Sequence, residues 1–308
     1  MGSLDGLVAI VTGAGRGLGR AHALYLAQEG AAVVVNDPGV GGDGSGSDTS
    51  PAEQVVAEIK EAGGNAVANL DSCADWGAAE QLVNQAVESF GKLDILVNNA
   101  GILRDRMSFK MSEDEWDAVM NVHLKGHFAP SRFAAAYWRE RAKAADGRIY
   151  GRIVNTSSES GYFGMLGQVN YATAKAGIVG MTMTMARELE SIGVTVNAIA
   201  PRARTRMTTG SFDGYPEAVE GAFDTRAPEN ISPVVAWLAS PQAGHVSAKV
   251  FACYAGDIEI QTPIESEVHL SVGDRAWTVD ELAARSGELF INGRPPGVVP
   301  MRSGIGGN

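Results

Sequence analysis

The sequence predicts an α/β domain in which helices cover both faces of a doubly wound, seven-stranded parallel sheet. Seven short apolar runs, rich in β-branched residues, alternate with about six helical patterns between residues 7 and 254, and this alternation is typical of that architecture. The first run, LVAIVT at residues 7–12, is apolar throughout, as expected of a strand buried on both faces. A glycine-rich loop follows it, and such sheets bind ligands at the carboxyl ends of their strands.

Length, composition and charge restrict the class of protein. Of the 308 residues, 45% are hydrophobic and 20% are charged, which is typical of a soluble globular protein with a sizeable core. The net charge of −11 argues against nucleic acid or an anionic membrane as a partner, because both reward clustered Lys and Arg. The two cysteines and five histidines show no disulfide or metal-ligand spacing. We therefore expect a cytoplasmic protein with no bound metal, targeting segment or membrane helix.

The first elements have the order strand, glycine loop, helix, strand, acidic residue. The helix is predicted from about residue 20 to residue 29, the second strand covers residues 32–36, and the acidic residue is Asp37. This order is that of a βαβ unit of the Rossmann type, which binds a dinucleotide.

The glycines of the loop follow T-G-x-x-x-G-x-G, formed by Thr12, Gly13, Gly17 and Gly19, rather than G-x-G-x-x-G. They can serve the same purpose, because glycines let backbone amides approach a pyrophosphate that faces a helix N-terminus. A tight turn without a ligand is the alternative, but the strand before the loop and the acid after it favour the dinucleotide.

Asp37 bears on the choice of cofactor. A carboxylate at the end of the second strand can accept hydrogen bonds from both ribose hydroxyls of NAD and would repel the 2′-phosphate of NADP. Arg16 in the loop could soften that preference, and a turn role before Pro38 is the competing interpretation of Asp37. The sequence favours NAD over NADP.

The remaining elements continue the alternation as far as residue 254. A low-complexity loop at residues 39–49 precedes the second helix, and the polar stretch at 202–230 would suit a lid over a substrate. Further strands are predicted at 66–70, 93–97, 148–156, 194–200 and 249–254, and further helices at 50–62, 75–90, from 112 onward, 169–189 and 232–239.

The chain after residue 260 breaks this rhythm. We predict a nucleotide-binding domain at residues 1–260 and a C-terminal extension at 261–308, not a second domain. The extension contains a possible strand at residues 267–272 and a helix capped by Thr278 and Glu281.

Three polar features at predicted element ends are candidates for the binding site. Asn98 begins the run NNAG, which extends to Gly101, and paired amides after a buried strand can fix a loop beside a cofactor. Asp71 ends the third strand and could meet the adenine, although a cap or turn role fits equally well. Asn121 lies inside a predicted helix, where an amide lowers helix propensity, so it has either a function or simple solvent exposure.

The segment at residues 151–177 combines a strand, a turn and a helix, and it contains Ser158, Tyr171 and Lys175. Tyr171 and Lys175 are four residues apart, so they share one face of the helix. A free phenol has a pKa of about 10 and costs roughly 4 kcal/mol to ionise at pH 7, and a nearby ammonium lowers that cost. The pair therefore suits a general acid/base. Alone, such a pair is usually a surface contact, and a lone serine is usually part of a turn.

Together these motifs resemble the short-chain dehydrogenase/reductase family over about residues 4–257. The motifs are TGAGRGLG at residues 12–19, NNAG at 98–101, and Ser158 placed thirteen residues before Tyr171 in Y-x-x-x-K. A closer resemblance is to the (3R)-hydroxyacyl-CoA dehydrogenase unit of peroxisomal multifunctional enzyme type 2 and its bacterial stand-alone relatives. It rests on the glycine-rich insertion after Asp37, the run NNAGILRD at 98–105, and the run VHL at 122–124.

The resemblance implies hydride transfer between NAD and the 3-hydroxyl carbon of an acyl-CoA, including steroid side-chain thioesters, in lipid and fatty acid metabolism. Ser158 would hold the substrate oxygen, Tyr171 would take its proton, and Lys175 would stabilise the phenolate. By the same match, Asn121 would hold a water that links Lys175 to solvent. The implied cofactor-binding residues are Gly13, Arg16, Gly17, Leu18, Gly19, Asp37, Asp71, Asn98, Ala100, Gly101, Tyr171 and Lys175.

Two other functions stay open at this point. One is a 3-oxoacyl-[acyl-carrier-protein] reductase that uses NADPH, and the other is a non-catalytic dinucleotide-binding scaffold on the same fold. The family also implies a small-molecule substrate, here an acyl thioester, and assembly as a homodimer or homotetramer.

Overall fold

A computed structural model describes residues 2–46, 48, 50–205, 221–261 and 268–290. The chain divides into two compact units, Met1–Gln261 and Thr262–Asn308. The described part of the second unit contains one short helix and a following 3-10 turn, Ser286–Phe290. The first unit contains the sheet and the other helices.

One eight-stranded sheet forms the centre of the first unit. Its strands are β1 (Val8–Thr12), β2 (Ala32–Asn36), β3 (Ala66–Asn69), β4 (Ile95–Asn98), β5 (Gly151–Thr156), β6 (Val194–Pro201), β7 (Val250–Tyr254) and β8 (Asp257–Gln261). They lie in the order β3-β2-β1-β4-β5-β6-β7-β8. The first seven are parallel, as predicted, and β8 is antiparallel to β7.

Nine α-helices are found in the described residues. They are α1 (Gly17–Gln28), α2 (Ser50–Glu61), α3 (Trp76–Phe90), α4 (Glu113–Met120), α5 (Gly126–Ala144), α6 (Ser160–Phe163), α7 (Val169–Leu189), α8 (Ser232–Ala239) and, in the second unit, α9 (Val279–Arg285). Capping boxes begin α4 at Ser112 and α9 at Thr278, which confirms both predicted starts. The helix α2 begins at Ser50, as predicted, and the Ser50 hydroxyl donates to Asp48.

The hydrophobic core lies on both faces of the sheet. Ala9 and Val11 of β1 belong to the cluster that also contains residues of α1, α2 and α8, whereas Val8 and Ile10 belong to the cluster shared with α3, α5 and α7. All five residues of β1 are buried, because neighbouring side chains of a strand point to opposite faces and both faces are covered. Burial of each such aliphatic side chain stabilises the fold by about 1.5–3 kcal/mol. The continuously apolar pattern of this strand therefore has the predicted cause.

The strand order reverses between β1 and β4. From β1 the chain moves outward to β2 and β3, and then crosses back so that β4 pairs with the other side of β1. The two helices that follow β1 and β4 consequently leave the sheet on different sides of this point, which opens a crevice at the carboxyl ends of the strands. Thr12 and Asn98 end the two strands there.

The sheet and the extension differ from the prediction in two places. The eighth strand follows a two-residue turn in which Ala255 has a φ of 49°, a conformation that tight hairpins require. Its residues Ile258 and Ile260 alternate with acidic residues but are 54% and 63% exposed, so no buried face marked the strand in the sequence. Residues 268–272 form no strand, and residue 267 lies outside the described residues.

The structure describes only part of the predicted lid, because residues 206–220 lie outside the described residues. No helix in the described part of the chain is long and apolar enough to cross a membrane. Cys73 and Cys253 are both free and buried.

Candidate active site

The glycine loop and the NNAG run are locked together where β1 and β4 end. The Thr12 hydroxyl accepts the backbone N–H groups of Asn99 and Ala100 at 3.0 and 3.2 Å. In return, the Asn99 side-chain amide donates to the carbonyl oxygens of Thr12 and Gly13 at 3.0 and 3.2 Å. These bonds satisfy the polar groups that leave the sheet. The predicted fixing of the loop is therefore performed by Asn99 together with the backbone of Ala100.

A side chain cannot be added at Gly13 or Gly19 of this loop without a clash. A Cβ at Gly13, where φ is +62°, would lie 2.7 Å from the Ala100 Cα, and a Cβ at Gly19 would lie 2.1 Å from the Gly13 carbonyl oxygen. Gly17 has a φ of +54°, which side-chain-bearing residues rarely adopt. The loop is thus a bare backbone cradle at the start of α1.

The start of α1 fits an anionic group. Arg16 is the N-cap residue of α1, and its side chain makes no capping hydrogen bond, so the first N–H groups of the helix receive no acceptor from it. Leu18 packs against the core cluster beside α1, which holds the first turn in place. A dinucleotide pyrophosphate suits this geometry, because the bare loop and the helix dipole both favour a phosphate there.

Asp37 lies beside this cradle. Its two carboxylate oxygens accept the backbone N–H groups of Gly15 at 2.8 Å and Gly39 at 2.7 Å. Arg16 forms a 3.0 Å ion pair with Asp48 of the glycine-rich insertion. The Asp37 carboxylate therefore lies at the loop, and the guanidinium of Arg16 is paired with the Asp48 carboxylate.

Two other predicted cofactor residues, Asp71 and Asn98, differ in their exposure. Asp71 is exposed, and its carbonyl oxygen accepts from the Asn36 side chain at 2.8 Å. Asn98 is fully buried, and its amide donates to Ser131 at 2.8 Å and to Asn155 at 2.9 Å. The side chain of Asn98 thus points into the protein and links β4 to β5 and α5. Both N–H groups of the side chain are used in the interior, and the cofactor contact that the resemblance implies for Asn98 stays a prediction.

The segment from β5 to α7 brings Ser158, Tyr171 and Lys175 together. Ser158 follows β5 by two residues, and its hydroxyl accepts the Ser160 N–H at 3.2 Å. Tyr171 and Lys175 lie one turn apart in α7, and the Lys175 Nζ is 5.4 Å from the centre of the Tyr171 ring. The Lys175 ammonium is buried and donates to the Thr156 carbonyl oxygen at 2.6 Å. The predicted constellation is therefore present at the carboxyl end of β5.

Burial pushes both ionisable groups toward their neutral forms. Desolvation raises the pKa of Tyr171 to about 12, and the Asp105 carboxylate adds to this, while the interaction with the Ser158 side chain lowers it. Desolvation also lowers the pKa of Lys175 to about 7. The site consequently needs favourable partners for the charged lysine and phenolate, because burial alone opposes both.

Asn121 is not where the prediction places it. It is exposed, begins a π-helical turn, Asn121–Lys125, and lines a surface recess with Asp114, Asp117 and Ala118. None of the described contacts joins it to Lys175. The residues that face Lys175 come two and six positions later in the chain. Each residue turns a helix by about 100°, so a side chain two positions further along lies on the opposite side of the helix.

Those residues are His123 and His127, which the sequence interpretation left as core or surface histidines. The His123 ring packs edge-on against Tyr171, with ring centres 5.1 Å apart and an angle of 90°. Both histidines are buried, and burial together with the charge of Lys175 holds the pKa of each well below its usual value. Their i, i+4 spacing and the run VHL were the only signals in the sequence.

A hydrogen-bonded bridge forms the other side of the site. The Gln168 amide donates to Asp105 at 2.8 Å, and its oxygen accepts from the Ser160 hydroxyl at 2.9 Å. Asp105 is exposed as a residue, but partial desolvation of its carboxyl group raises its pKa. The bridge ties the loop after β4 to the turn that carries Ser158. Sequence reasoning named Asp105 only as part of a motif and missed Gln168.

Comparison with known proteins places this geometry in a family. The short chain dehydrogenase family matches residues 7–215. A hydroxyacyl-CoA dehydrogenase of Mycobacterium tuberculosis is 46% identical over 294 residues, which cover 95% of this chain and 91% of that protein. The peroxisomal multifunctional enzyme type 2 of Mus musculus is 46% identical over 234 residues, which cover 76% of this chain and 30% of the mouse protein. The crystal structure of a short chain dehydrogenase from Mycobacterium avium is 51% identical, with a TM-score of 0.84 over 97% of this chain and 99% of that chain.

The matched range includes both the glycine cradle and the segment with Ser158, Tyr171 and Lys175. The resemblance drawn from the sequence motifs, including the branch of the type 2 multifunctional enzymes, is thereby confirmed. This chain belongs to the short-chain dehydrogenase family, whose members are oxidoreductases that use a nicotinamide dinucleotide.

Proposed function

We propose that this protein is an NAD-dependent dehydrogenase that oxidises the 3-hydroxyl of a hydroxyacyl-CoA, with steroid side-chain thioesters among the possible substrates. The observation that carries the proposal is the convergence of a phenol, an ammonium and a serine hydroxyl with a bare glycine cradle at the same edge of one sheet. The acyl-CoA substrate is supported by the relatives, since the similar protein of Mycobacterium tuberculosis is a hydroxyacyl-CoA dehydrogenase.

Residues of this chain would move the proton of the reaction. Ser158 donates to the substrate oxygen and holds it near Tyr171, and the Tyr171 phenolate takes the hydroxyl proton as the carbonyl forms. The hydrogen on the carbinol carbon leaves with its electron pair as hydride. The nicotinamide, when bound, supplies the hydride acceptor and, in its oxidised form, a positive charge. Ser158, Tyr171 and Lys175 thus carry the catalytic roles in this proposal.

The charge on Lys175 offsets part of the cost of the phenolate. With a pKa of about 12 for Tyr171, ionisation at pH 7 costs about 7 kcal/mol. An ammonium about 5 Å away contributes about 3 kcal/mol at an effective dielectric constant near 20. Lys175 is therefore expected to supply nearly half of the stabilisation that the base needs.

The preference for NAD over NADP rests on Asp37 and Arg16. The Asp37 carboxylate lies at the glycine loop, where it would accept from ribose hydroxyls and repel a 2′-phosphate. The loop cation that could offset this repulsion, Arg16, already pairs with Asp48. The cradle residues Gly13, Gly17 and Gly19 would hold the pyrophosphate.

In the same proposal, residues 1–260 form the nucleotide-binding domain, residues 261–308 form an extension, and the protein is cytoplasmic.

The protein would assemble as a homodimer or homotetramer. Exposed aromatic side chains on α3 and α5 support such an interface, since Trp76 and Phe128 are 44% and 42% exposed with ring centres 6.0 Å apart, and large exposed apolar groups often mark contact surfaces.

A substrate screen tests the proposal. The appearance of NADH would be followed with 3-hydroxyacyl-CoAs of increasing chain length, steroid side-chain thioesters, free alcohols and the matching carrier-protein thioesters, each with NAD and with NADP. Turnover of CoA thioesters with NAD is the expected result. A strong NADP preference with carrier-protein thioesters would instead identify a 3-oxoacyl-[acyl-carrier-protein] reductase, and cofactor binding without any turnover would identify a scaffold.

A further inference from the structure

The glycine-rich insertion after β2 brings a second carboxylate to the glycine cradle. The structure describes residues 39–46 and 48 of this insertion. The Asp48 Oδ2 lies 3.0 Å from a terminal nitrogen of Arg16, which is the N-cap residue of α1. The proton and hydride steps of the proposed reaction give this carboxylate no role. The contact nevertheless connects the insertion directly to the loop that would hold the cofactor.

The Asp48 carboxylate is held in place by its own surroundings, although its side chain is 55% exposed. Its Oδ1 accepts the Ser50 backbone N–H at 3.1 Å and the Ser50 hydroxyl at 2.6 Å. The bonds from Ser50 lower the pKa of Asp48, and the Arg16 guanidinium lowers it further. The carboxylate therefore stays charged with its other oxygen directed at Arg16. Most exposed ion pairs lose stability because both side chains must be ordered to form them, and here one of the two is already fixed.

Gly39 joins this carboxylate to that of Asp37. The Gly39 N–H donates to the Asp37 Oδ1 at 2.7 Å, and the Gly39 carbonyl oxygen accepts the Asp48 backbone N–H at 2.9 Å. Gly39 has a φ of +73°, and a Cβ there would lie 1.7 Å from the Asp48 carbonyl oxygen, so glycine is required at this position. The other Asp37 oxygen accepts the Gly15 N–H of the cradle. The two carboxylates are thus fixed relative to each other beside the same loop.

The insertion is also attached to the chain on the far side of β1. The Leu103 N–H donates to the Gly42 carbonyl oxygen at 2.9 Å, and the Arg104 Nε donates to the Asp43 carbonyl oxygen at 2.9 Å. Leu103 and Arg104 follow β4, which pairs with one side of β1, whereas the insertion follows β2, which pairs with the other. The position of Asp48 therefore does not depend on its contact with Arg16 alone.

The chemistry that this arrangement affects is the choice between NAD and NADP, which differ by a phosphate on the adenosine 2′-hydroxyl. A guanidinium suits a phosphate well, because it can donate two parallel N–H bonds to it. Arg16 is a cation of the cradle loop, but Asp48 already binds its guanidinium and adds a negative charge. A 2′-phosphate would have to compete with that carboxylate as well as approach Asp37. A protein can select one ligand by placing a repulsive group against its competitor.

We infer that Asp48 is a specificity-determining residue, which engages Arg16 and so withholds its guanidinium from a 2′-phosphate. The insertion would then add to the NAD preference that Asp37 sets at the end of β2. This inference rests on the proposed function and deepens it, since it assigns cofactor selection to a second element of the chain.

Binding measurements on charge-removing variants test the inference. Asp48→Asn removes the charge and keeps an oxygen that can accept from Ser50. Asp43→Asn is the matched control in the same insertion, because the Asp43 Oδ1 accepts the Ser45 backbone N–H at 3.0 Å and the Ser45 hydroxyl at 2.7 Å. The local bonding of the two aspartates is thus alike, and among the described contacts only that of Asp48 includes Arg16. A third protein combines Asp48→Asn with Arg16→Leu.

Calorimetry with NADH and NADPH, and with 5′-AMP and adenosine 2′,5′-bisphosphate, gives affinities that do not depend on turnover. Asp48→Asn should bind NADPH and the bisphosphate about tenfold more tightly than wild type, with NADH and 5′-AMP within about twofold. The gain should disappear when Arg16→Leu is added, since the freed guanidinium is its source. Asp43→Asn should leave the ratio of NADPH to NADH affinity unchanged.

Three results would overturn the inference: an unchanged NADPH affinity in folded Asp48→Asn, an equal gain in Asp43→Asn, or a gain that persists in the double variant. A wild-type protein that binds NADPH more tightly than NADH would instead contradict the proposed NAD preference, and one that oxidises no hydroxyacyl-CoA would contradict the proposed substrate. In both cases the NADPH affinity of Asp48→Asn relative to wild type still decides the role of Asp48.

Discussion

Replacement of the buried lysine should make the enzyme slower and, in the absence of cofactor, more stable. Lys175→Met keeps a long, unbranched side chain but removes the ammonium. The pKa of Lys175 falls from 10.5 to about 7 on folding, which corresponds to about 5 kcal/mol of unfavourable free energy while the lysine is charged in the unfolded chain. Loss of the bond to the Thr156 carbonyl costs about 1–3 kcal/mol. The net expected gain in the free energy of unfolding at pH 7 is therefore about 2–4 kcal/mol.

The expected gain in the free energy of unfolding depends on pH. Because the folded pKa lies below the unfolded one, the wild-type penalty is complete below pH 7 and disappears as the pH rises toward about 10.5. The stability difference between Lys175→Met and wild type should shrink over that range. Over the same substitution kcat at pH 7 should fall about 100-fold, since about 3 kcal/mol of phenolate stabilisation is lost.

Urea unfolding between pH 6 and 9, with NAD-reduction kinetics on the same samples, measures both effects. Lys143→Met is the matched control, because the Lys143 side chain is 58% exposed and pairs with Glu140 on the surface. It should change neither quantity appreciably. Strong destabilisation of Lys175→Met by several kcal/mol at pH 7, or unchanged kcat, would refute the account of a costly buried charge kept for catalysis.

Three other substitutions give separate tests. Gly19→Ala adds a Cβ 2.1 Å from a backbone oxygen and should weaken NAD binding more than tenfold by calorimetry, whereas Gly42→Ala, with open space around it, should not. Asp37→Asn removes the charge at the cradle and should raise the NADP to NAD affinity ratio at least tenfold; an unchanged ratio would contradict the role of that carboxylate. Asp105→Asn removes a charge that raises the pKa of the catalytic phenol, so the kcat–pH profile should move to lower pH, and an unchanged profile would contradict that effect.

Much of this architecture could be read from local patterns. β1 is continuously apolar because both of its faces are covered, and the glycines after it are demanded by close backbone contacts. Tyr171 and Lys175 were visible because an i, i+4 pair on a regular helix needs no tertiary information. The seven parallel strands followed from their alternation with helices.

The residues around Lys175 could not be placed in this way. The helix after Ser112 contains a π-helical turn at Asn121–Lys125, and such a turn changes the phase of every residue that follows. Which side of that helix meets α7 also depends on tertiary packing. Asn121 therefore looked central and is exposed, whereas His123 and His127 looked unremarkable and are buried beside the lysine.

The sequence analysis did not predict the strand β8 or the direction of the Asn98 side chain, for different reasons. β8 is exposed on both faces, so its alternation carried no burial signal. Asn98 occupies the end of a strand that points toward the crevice, but its side chain alternates inward, where it bonds Ser131 and Asn155. Strand periodicity predicted the element and not the direction of that one side chain.

Tyr171→Phe tests most directly whether Tyr171 is the base in a hydride transfer to NAD. This change removes only the phenol oxygen and keeps the ring that packs against His123. NAD reduction with the best hydroxyacyl-CoA should fall by at least about 10³-fold, while NAD affinity, measured by calorimetry, stays within about threefold. Turnover near the wild-type rate in a folded, NAD-binding Tyr171→Phe protein would contradict the account.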